Sequence, residues 1–173
     1  AGVKSIEHGQ LIDEPTMKLI AEKGVWLSMQ PFIGEGNNYY TNPVQQAKHE
    51  LVVQGTDRAY QLAKKYGVKL AWGTDLLFSP ANARNQNLNI EKMTRWFSNF
   101  EILKMITHDN AELLALSGRR NPYPGKLGVI EEGALADLIV VDGNALEDIK
   151  VLTDPGKNML LIMKDGKIYK NDL

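Results

Sequence analysis

The first two thirds of the chain alternate short apolar runs with longer segments whose apolar residues recur every three or four positions. Such runs predict β-strands, such segments predict helices, and their alternation is typical of a parallel α/β sheet. We predict strands over residues 3–8, 25–30 and 68–72. We predict helices over residues 13–23, 44–66, 91–104 and 107–118. Three parallel strands leave open edges, so we expect this sheet to need further chain or a partner.

Several of the helix ends carry recognisable signals. Asp13 and Thr107 are candidate N-caps, because their side-chain oxygens can accept a hydrogen bond from the first turn. Gly24 and Gly67 follow the last periodic residues, where a left-handed glycine commonly ends a helix. Gly55 lies inside the second helical segment and weakens it there, so we expect this helix to be prone to a break.

The pattern changes after Gly118, where short strands and turns replace the helices. We predict strands over residues 135–141, 159–163 and 167–170. The pair Asp165-Gly166 between the last two strands predicts a β-hairpin turn. We therefore divide the chain into two domains, residues 1–118 and residues 119–173.

Composition narrows the function. The 173 residues carry a net charge of −1 and form no basic stripe, which argues against a nucleic-acid partner. Without cysteine, only His, Asp and Glu remain as metal ligands. No apolar run approaches the roughly 20 residues that span a bilayer, so we expect no membrane segment. The compartment stays open: we expect a cytoplasmic protein or, if a signal sequence stood upstream, an exported one.

Two polar residues follow predicted strands. Ser5-Ile6-Glu7-His8-Gly9 ends a strand with a histidine, and Gly73-Thr74-Asp75 ends another with an aspartate. Parallel α/β barrels carry their chemistry at such strand ends. The residues alone leave other interpretations open: His8 as a hydrogen-bonded core histidine, and Asp75 as a turn or N-cap residue.

Two loops carry candidate substrate contacts, Tyr39 and Tyr40 in one and Asn82 and Arg84 in the other. All four are equally consistent with ordinary loop residues. The other two histidines have simpler interpretations, His49 as an exposed helix residue and His108 as a structural residue in the first turn of a helix.

Taken in order, these segments resemble the amidohydrolase superfamily, and within it the imidazolonepropionase-like and Xaa-Pro dipeptidase-like group. Residues 5–9 resemble its sixth barrel strand and residues 67–75 its eighth. Thr107-His108-Asp109-Asn110-Ala111 resembles the helix start after the barrel, and residues 127–144 resemble the return into a small β-sandwich. The resemblance implies an α/β fold, the C-terminal part of a TIM-type (β/α)8 barrel (strands six to eight with helices) followed by part of that β-sandwich.

The resemblance also implies a function. It is hydrolysis of an amide-type C–N bond by metal-activated water, with one or two divalent ions, most simply zinc. His8 and Asp75 would be metal ligands, and Asp75 would also take the proton of the water and pass it to the departing nitrogen. A dipeptide with C-terminal proline, an acyl amino acid or a cyclic amide would be the substrate.

The chain departs from the family pattern in ways that bear on activity. The His-x-His of the first strand, the lysine of the fourth and the histidine of the fifth all have no counterpart here. We therefore expect an inactive C-terminal portion of an enzyme, which forms a homo-oligomer or pairs with a missing N-terminal half. The alternative is a non-catalytic half-barrel that oligomerises or binds a partner. A phosphate- or sugar-binding half-barrel has no Gly-rich loop to support it.

Overall fold

The computed structural model describes residues 2–34, 40–76 and 80–173, which form one compact unit up to Gly73 and a second from Thr74. The first unit is a parallel α/β layer, and the second joins short helices to an antiparallel sheet. The division after Gly118, which separates the predicted barrel part from the predicted sandwich part, stays a prediction.

The first unit contains the predicted parallel sheet. Its strands are β1 (Ser5–Glu7), β2 (Trp26–Met29) and β3 (Leu70–Trp72), in the order β1-β2-β3. Helices α1 (Glu14–Glu22) and α2 (Pro43–Tyr66) connect them. Both strand pairs are parallel, so the carboxyl ends of the strands lie at one edge of the sheet. β2 is buried throughout, as expected of a central parallel strand.

The predicted helix ends are confirmed in this unit. The Asp13 carboxylate accepts a hydrogen bond from the Thr16 backbone N–H at 2.9 Å, and Gly67 ends α2 in the left-handed region at φ +63°. The expected break at Gly55 is wrong, because α2 is continuous over 24 residues. A Cβ on Gly55 would lie 2.3 Å from the Gln10 carbonyl oxygen. Glycine is therefore needed there for close packing and does not interrupt the helix.

The two helices of this unit are tied by packing and by charge. Met17 of α1 and Tyr60 of α2 are fully buried, and burial raises the pKa of the Tyr60 hydroxyl. At the surface, the Lys65 ammonium donates to the Glu14 carboxylate at 2.8 Å, as does the Tyr66 hydroxyl. These bonds, that from Lys65 first, lower the pKa of Glu14. Because Lys65 and Glu14 are exposed, we expect their ion pair to orient α1 on α2 more than to stabilise the fold.

The second unit begins with short helical segments. They are α3 (Pro80–Ala83), α4 (Leu88–Lys92), a 3₁₀ turn (Met93–Arg95), α5 (Asn99–Lys104), a π-helical turn (Met105–Asp109) and α6 (Asn110–Ala115). The predicted single helix over residues 91–104 is therefore wrong. It is interrupted before Ser98, which starts α5 with a capping box whose other member is Glu101.

The N-cap predicted at Thr107 is also wrong. α5 passes through the π-helical turn into α6 without a new start, and the Thr107 hydroxyl donates to the Leu103 carbonyl oxygen at 2.6 Å. Gly128 lies against this turn, since a Cβ on it would be 2.6 Å from the Thr107 carbonyl oxygen. The segment around Gly128, which leads into the antiparallel sheet, thus packs closely on the π-helical turn.

An antiparallel sheet ends the second unit, as predicted. Its strands are β4 (Leu138–Val141), β5 (Met159–Lys164) and β6 (Lys167–Asn171), with a 3₁₀ turn (Ile149–Leu152) and α7 (Pro155–Asn158) between β4 and β5. The predicted turn is confirmed, with Asp165 at φ +49° and Gly166 at φ +73°. Among the described residues, no helix has the length and apolar character needed to cross a membrane.

Candidate active site

His8 follows directly on β1 and turns the chain sharply. Its backbone lies in the left-handed region at φ +70°, and its N–H donates to the Ser28 carbonyl oxygen at 2.8 Å. Gly9 is left-handed as well, at φ +77°, and a Cβ there would lie 2.5 Å from Leu27 Cδ1. The turn thus needs glycine at its second position, residue 9. A histidine at its first position, residue 8, is uncommon because few residues other than glycine adopt positive φ. Such outliers concentrate at functional sites.

Sequence reasoning missed two glutamines here, Gln30, which contacts the His8 ring, and Gln10, which is hydrogen-bonded to Gln30. His8 Nδ1 is 2.9 Å from Gln30 Oε1, and Gln10 Nε2 donates to the same oxygen at 3.1 Å. Gln10 and Gln30 are 5% and 6% exposed. The signal for Gln30 was a polar residue directly after a wholly buried strand. Gln10 gave no comparable signal.

Asp75 lies two residues beyond the last residue of the first unit. It is exposed and left-handed, at φ +54°. Within the described ranges, the non-glycine residues at positive φ are His8, Asp75 and Asp165, and Asp165 belongs to a hairpin turn. The other two are the metal ligands proposed from sequence, each in an unusual conformation where its strand ends.

The remaining candidates divide between the two units. Tyr40 lies in the first unit, 41% exposed, with its ring centroid 5.5 Å from that of His49, which is half-buried and not exposed as expected. Tyr39 lies outside the described residues. In the second unit, Asn82 is half-buried in α3, and Arg84 follows that helix and is exposed.

His108 lies in the π-helical turn and not in the first turn of a helix, as was expected from the sequence. Its Nδ1 is 2.8 Å from the Asp109 carboxylate, which also accepts a hydrogen bond from Lys104. These contacts are local to one helical segment, in agreement with a structural role.

The donor atoms fit a metal in part. A metal-bound histidine usually donates its second ring N–H to a neighbouring oxygen, and Gln30 places an oxygen at that position for His8. A catalytic zinc takes about three protein ligands. Over residues 2–34, 40–76 and 80–173, no three His, Asp or Glu side chains form a group that could hold a metal ion.

Comparison with known proteins defines the family. The amidohydrolase family model matches residues 1–169, and the chain belongs to that family. Its members include hydrolases, and they generally use divalent metal ions. The architecture is accordingly the C-terminal part of a (β/α)8 barrel with part of the following β-sandwich.

Three relatives show how much of such a protein is present. Ochratoxinase of Aspergillus niger is 33% identical over 98% of this chain, which covers 34% of that protein. A crystal structure of an amidohydrolase is 34% identical with a TM-score of 0.82, and 99% of this chain covers 41% of it. A prolidase complexed with N-methylphosphonate-L-proline is 32% identical with a TM-score of 0.82, with coverages of 98% and 41%. The chain thus spans about a third of the length of its curated relative.

Proposed function

We propose that this chain is the C-terminal part of a metal-dependent amidohydrolase that hydrolyses amide-type C–N bonds. The observation that carries the proposal is the His8 turn, a left-handed histidine at the carboxyl end of a parallel strand with an amide oxygen 2.9 Å from its Nδ1. A core histidine needs no strained backbone, whereas a ligand has to point its ring in one direction. Family membership over residues 1–169 supports the same conclusion.

His8 and Asp75 have different proposed roles. His8 would bind a divalent ion through Nε2. Asp75 would be a second ligand, and its carboxylate would take the proton of the attacking water and pass it to the departing nitrogen, as a general base and then a general acid. A divalent ion, when bound, polarises the substrate carbonyl and makes water a nucleophile at neutral pH. Zinc is the ion we propose, since a histidine and a carboxylate suit it.

The proposed substrate is a small amide. The prolidase relative was crystallised with a phosphonate of L-proline, which favours a dipeptide with C-terminal proline among the classes predicted from sequence. The other relative is named for ochratoxin, so the choice within amide-type substrates differs between relatives. Tyr39, Tyr40, Asn82 and Arg84 are the residues we propose for substrate contact.

The described residues supply too few ligands for full activity, so we expect hydrolysis only together with the rest of the enzyme. The alternative is a non-catalytic module that binds a partner. Large apolar side chains are exposed on the second unit, among them Ile130 at 93% and Tyr169 at 62%. The same side chains would be covered in an intact enzyme, so their exposure follows from either proposal.

A cobalt titration of the 173-residue chain tests the metal site. We expect weak binding that falls about tenfold or more in His8→Ala and in Asp75→Asn, because each loses a ligand. The controls are His49→Ala, which removes another histidine of the same unit, and Asp165→Asn, which changes an aspartate that is also left-handed. Equal binding by the wild-type chain and His8→Ala, including no binding by either, would contradict the proposal.

A further inference from the structure

A buried amide, Gln30, contacts the His8 ring and is hydrogen-bonded to a second buried amide, Gln10; neither has a role in the hydrolysis proposed above. Gln10 and Gln30 are among the few buried polar side chains of the described chain, and their shared contact is Gln30 Oε1. Buried amides are held by specific hydrogen bonds, since an unmade one is costly in free energy. The third group at this oxygen is His8 Nδ1, at 2.9 Å.

The shared oxygen decides which nitrogen of the ring carries hydrogen. A carbonyl oxygen only accepts, so Nδ1 must be the protonated nitrogen if it bonds to Gln30 Oε1. Rotating the Gln30 amide alone would face its NH₂ toward the NH₂ of Gln10, donor against donor. With the two amides oriented as in the structure, both bonds are made and Nε2 is the ring nitrogen with a lone pair, which is the nitrogen that binds a metal. Rotation of both amides together would turn the Gln30 NH₂ toward Nδ1 and reverse the tautomer, so the tautomer is the quantity to measure.

The position of Gln30 suits a fixed support. It follows β2, the central strand, and a Cβ on Gly73 after β3 would lie 3.8 Å from Gln30 Nε2. The side chain thus lies between His8, at the end of β1, and Gly73, which follows β3. Every group in this arrangement belongs to the first unit.

We propose that Gln30 is a positioning residue for the metal ligand His8. Its amide oxygen, oriented by Gln10, holds the ring as the Nδ1–H tautomer and presents Nε2 to the ion. The part of this inference that concerns the ion rests on the proposed function. The tautomer does not, because it is a property of the chain without metal.

Nitrogen-15 NMR of the histidine side chains in the metal-free chain, in alkaline buffer, measures the tautomer directly. We expect the Nδ1–H form for His8 in the wild-type chain. Gln30→Met, which removes the oxygen, should shift His8 toward the Nε2–H form that imidazoles without an Nδ1 partner prefer. Gln30→Glu keeps an acceptor at this position and should retain Nδ1–H. Ser28→Ala is the control, since it changes a buried side chain on β2 but leaves the carbonyl that accepts the His8 N–H.

Cobalt affinity supplies the second readout. Gln30→Met should weaken binding about 10- to 100-fold, with Gln30→Glu and Ser28→Ala closer to the wild-type chain. An Nε2–H ring in the wild-type chain would overturn the inference even if Gln30→Met fails to fold, and so would a tautomer that Gln30→Met leaves unchanged. An Nε2–H ring together with His8-dependent binding would leave the proposed function standing. If His8 has the expected Nδ1–H tautomer but cobalt binding is unchanged in His8→Ala, the proposed function is rejected and the inference about the tautomer stands.

Discussion

At the scale of single residues, the site depends on backbone conformations that cost stability. His8 adopts φ +70°, a region in which Cβ crowds the following carbonyl oxygen and which glycine, lacking a Cβ, enters at little cost. The compensation visible in the structure is local: the His8 N–H on the Ser28 carbonyl, and the ring on Gln30. We therefore expect position 8 to be optimised for its ring and not for folding.

Two substitutions of His8, one by alanine, which keeps a Cβ, and one by glycine, which lacks it, separate the loss of the ring from the backbone strain. His8→Gly and His8→Ala both lose the contact with Gln30, but only alanine keeps the strain. We expect His8→Gly to exceed His8→Ala in free energy of unfolding by about 1–2 kcal/mol, measured in urea. At Glu7, an exposed residue of β1, the order should reverse, with Ala above Gly by roughly 0.5–1 kcal/mol. The same order at both positions would show that φ at His8 is ordinary.

Sequence reasoning identified His8 and Asp75 from their place after predicted strands, and both do follow strands or nearly so. Their roles stay predictions. Sequence reasoning could not find the Gln30 contact, because that contact depends on the register of β2 beside β1, with Ile6 opposite Leu27. A hydrophobic pattern predicts that strands pair without stating which residues stand opposite each other.

At the scale of elements, the predictions succeeded where local and tertiary preferences agree. Helix α1 has its N-cap, its apolar face and its terminal glycine in sequence, and its bounds were predicted to within a residue or two. The helices after α3 were predicted less well. The start of α5 has a local signal that the prediction overlooked, the capping box of Ser98 and Glu101. The π-helical turn is different, because Gly128 approaches it closely and nothing in the local sequence encodes that approach.

Gly55 shows the same conflict in a form that can be measured. Alanine is the better helix former, yet a Cβ at this position would meet the Gln10 carbonyl oxygen at 2.3 Å. We expect Gly55→Ala to lower the free energy of unfolding by about 1–3 kcal/mol, as overpacking does. Thermal and urea unfolding measure it, with the exposed neighbour Gln54→Ala expected within roughly 0.5 kcal/mol of the wild-type chain. A more stable Gly55→Ala would mean that α2 does not pack this closely on the turn.

At the scale of the whole molecule, each of the two units leaves strand edges or apolar side chains uncovered in the part that the structure describes. The outer edges of β1 and β3 have no neighbouring strand in the part that the structure describes. In the second unit, α6 buries none of its residues, and Ile168 and Tyr169 of β6 are 47% and 62% exposed. The order of motifs along the sequence predicted such an incomplete fold, and the coverage of 34–41% of three relatives agrees with it.

We expect these uncovered strand edges and apolar side chains to make the chain self-associate reversibly. Its net charge of −1 and pI near 6.4 provide little repulsion, so association should increase from about pH 8 toward pH 6.4. Sedimentation velocity at several concentrations measures it. Tyr169→Lys should lower the associated fraction more than Asn171→Lys, which adds the same charge to β6 without removing an apolar side chain. A constant monomer mass under all these conditions would contradict the expectation.

The turn at His8 and Gly9 has a consequence for how variation at this site should be interpreted. In a library of variants selected only for folding, position 9 would keep glycine, because any side chain collides with Leu27 and Ile12. Position 8 would drift toward glycine or asparagine, which tolerate its backbone better than histidine does. Glycine at position 9 is therefore explained by packing. Histidine at position 8 is expected to persist only where selection acts on a function other than folding.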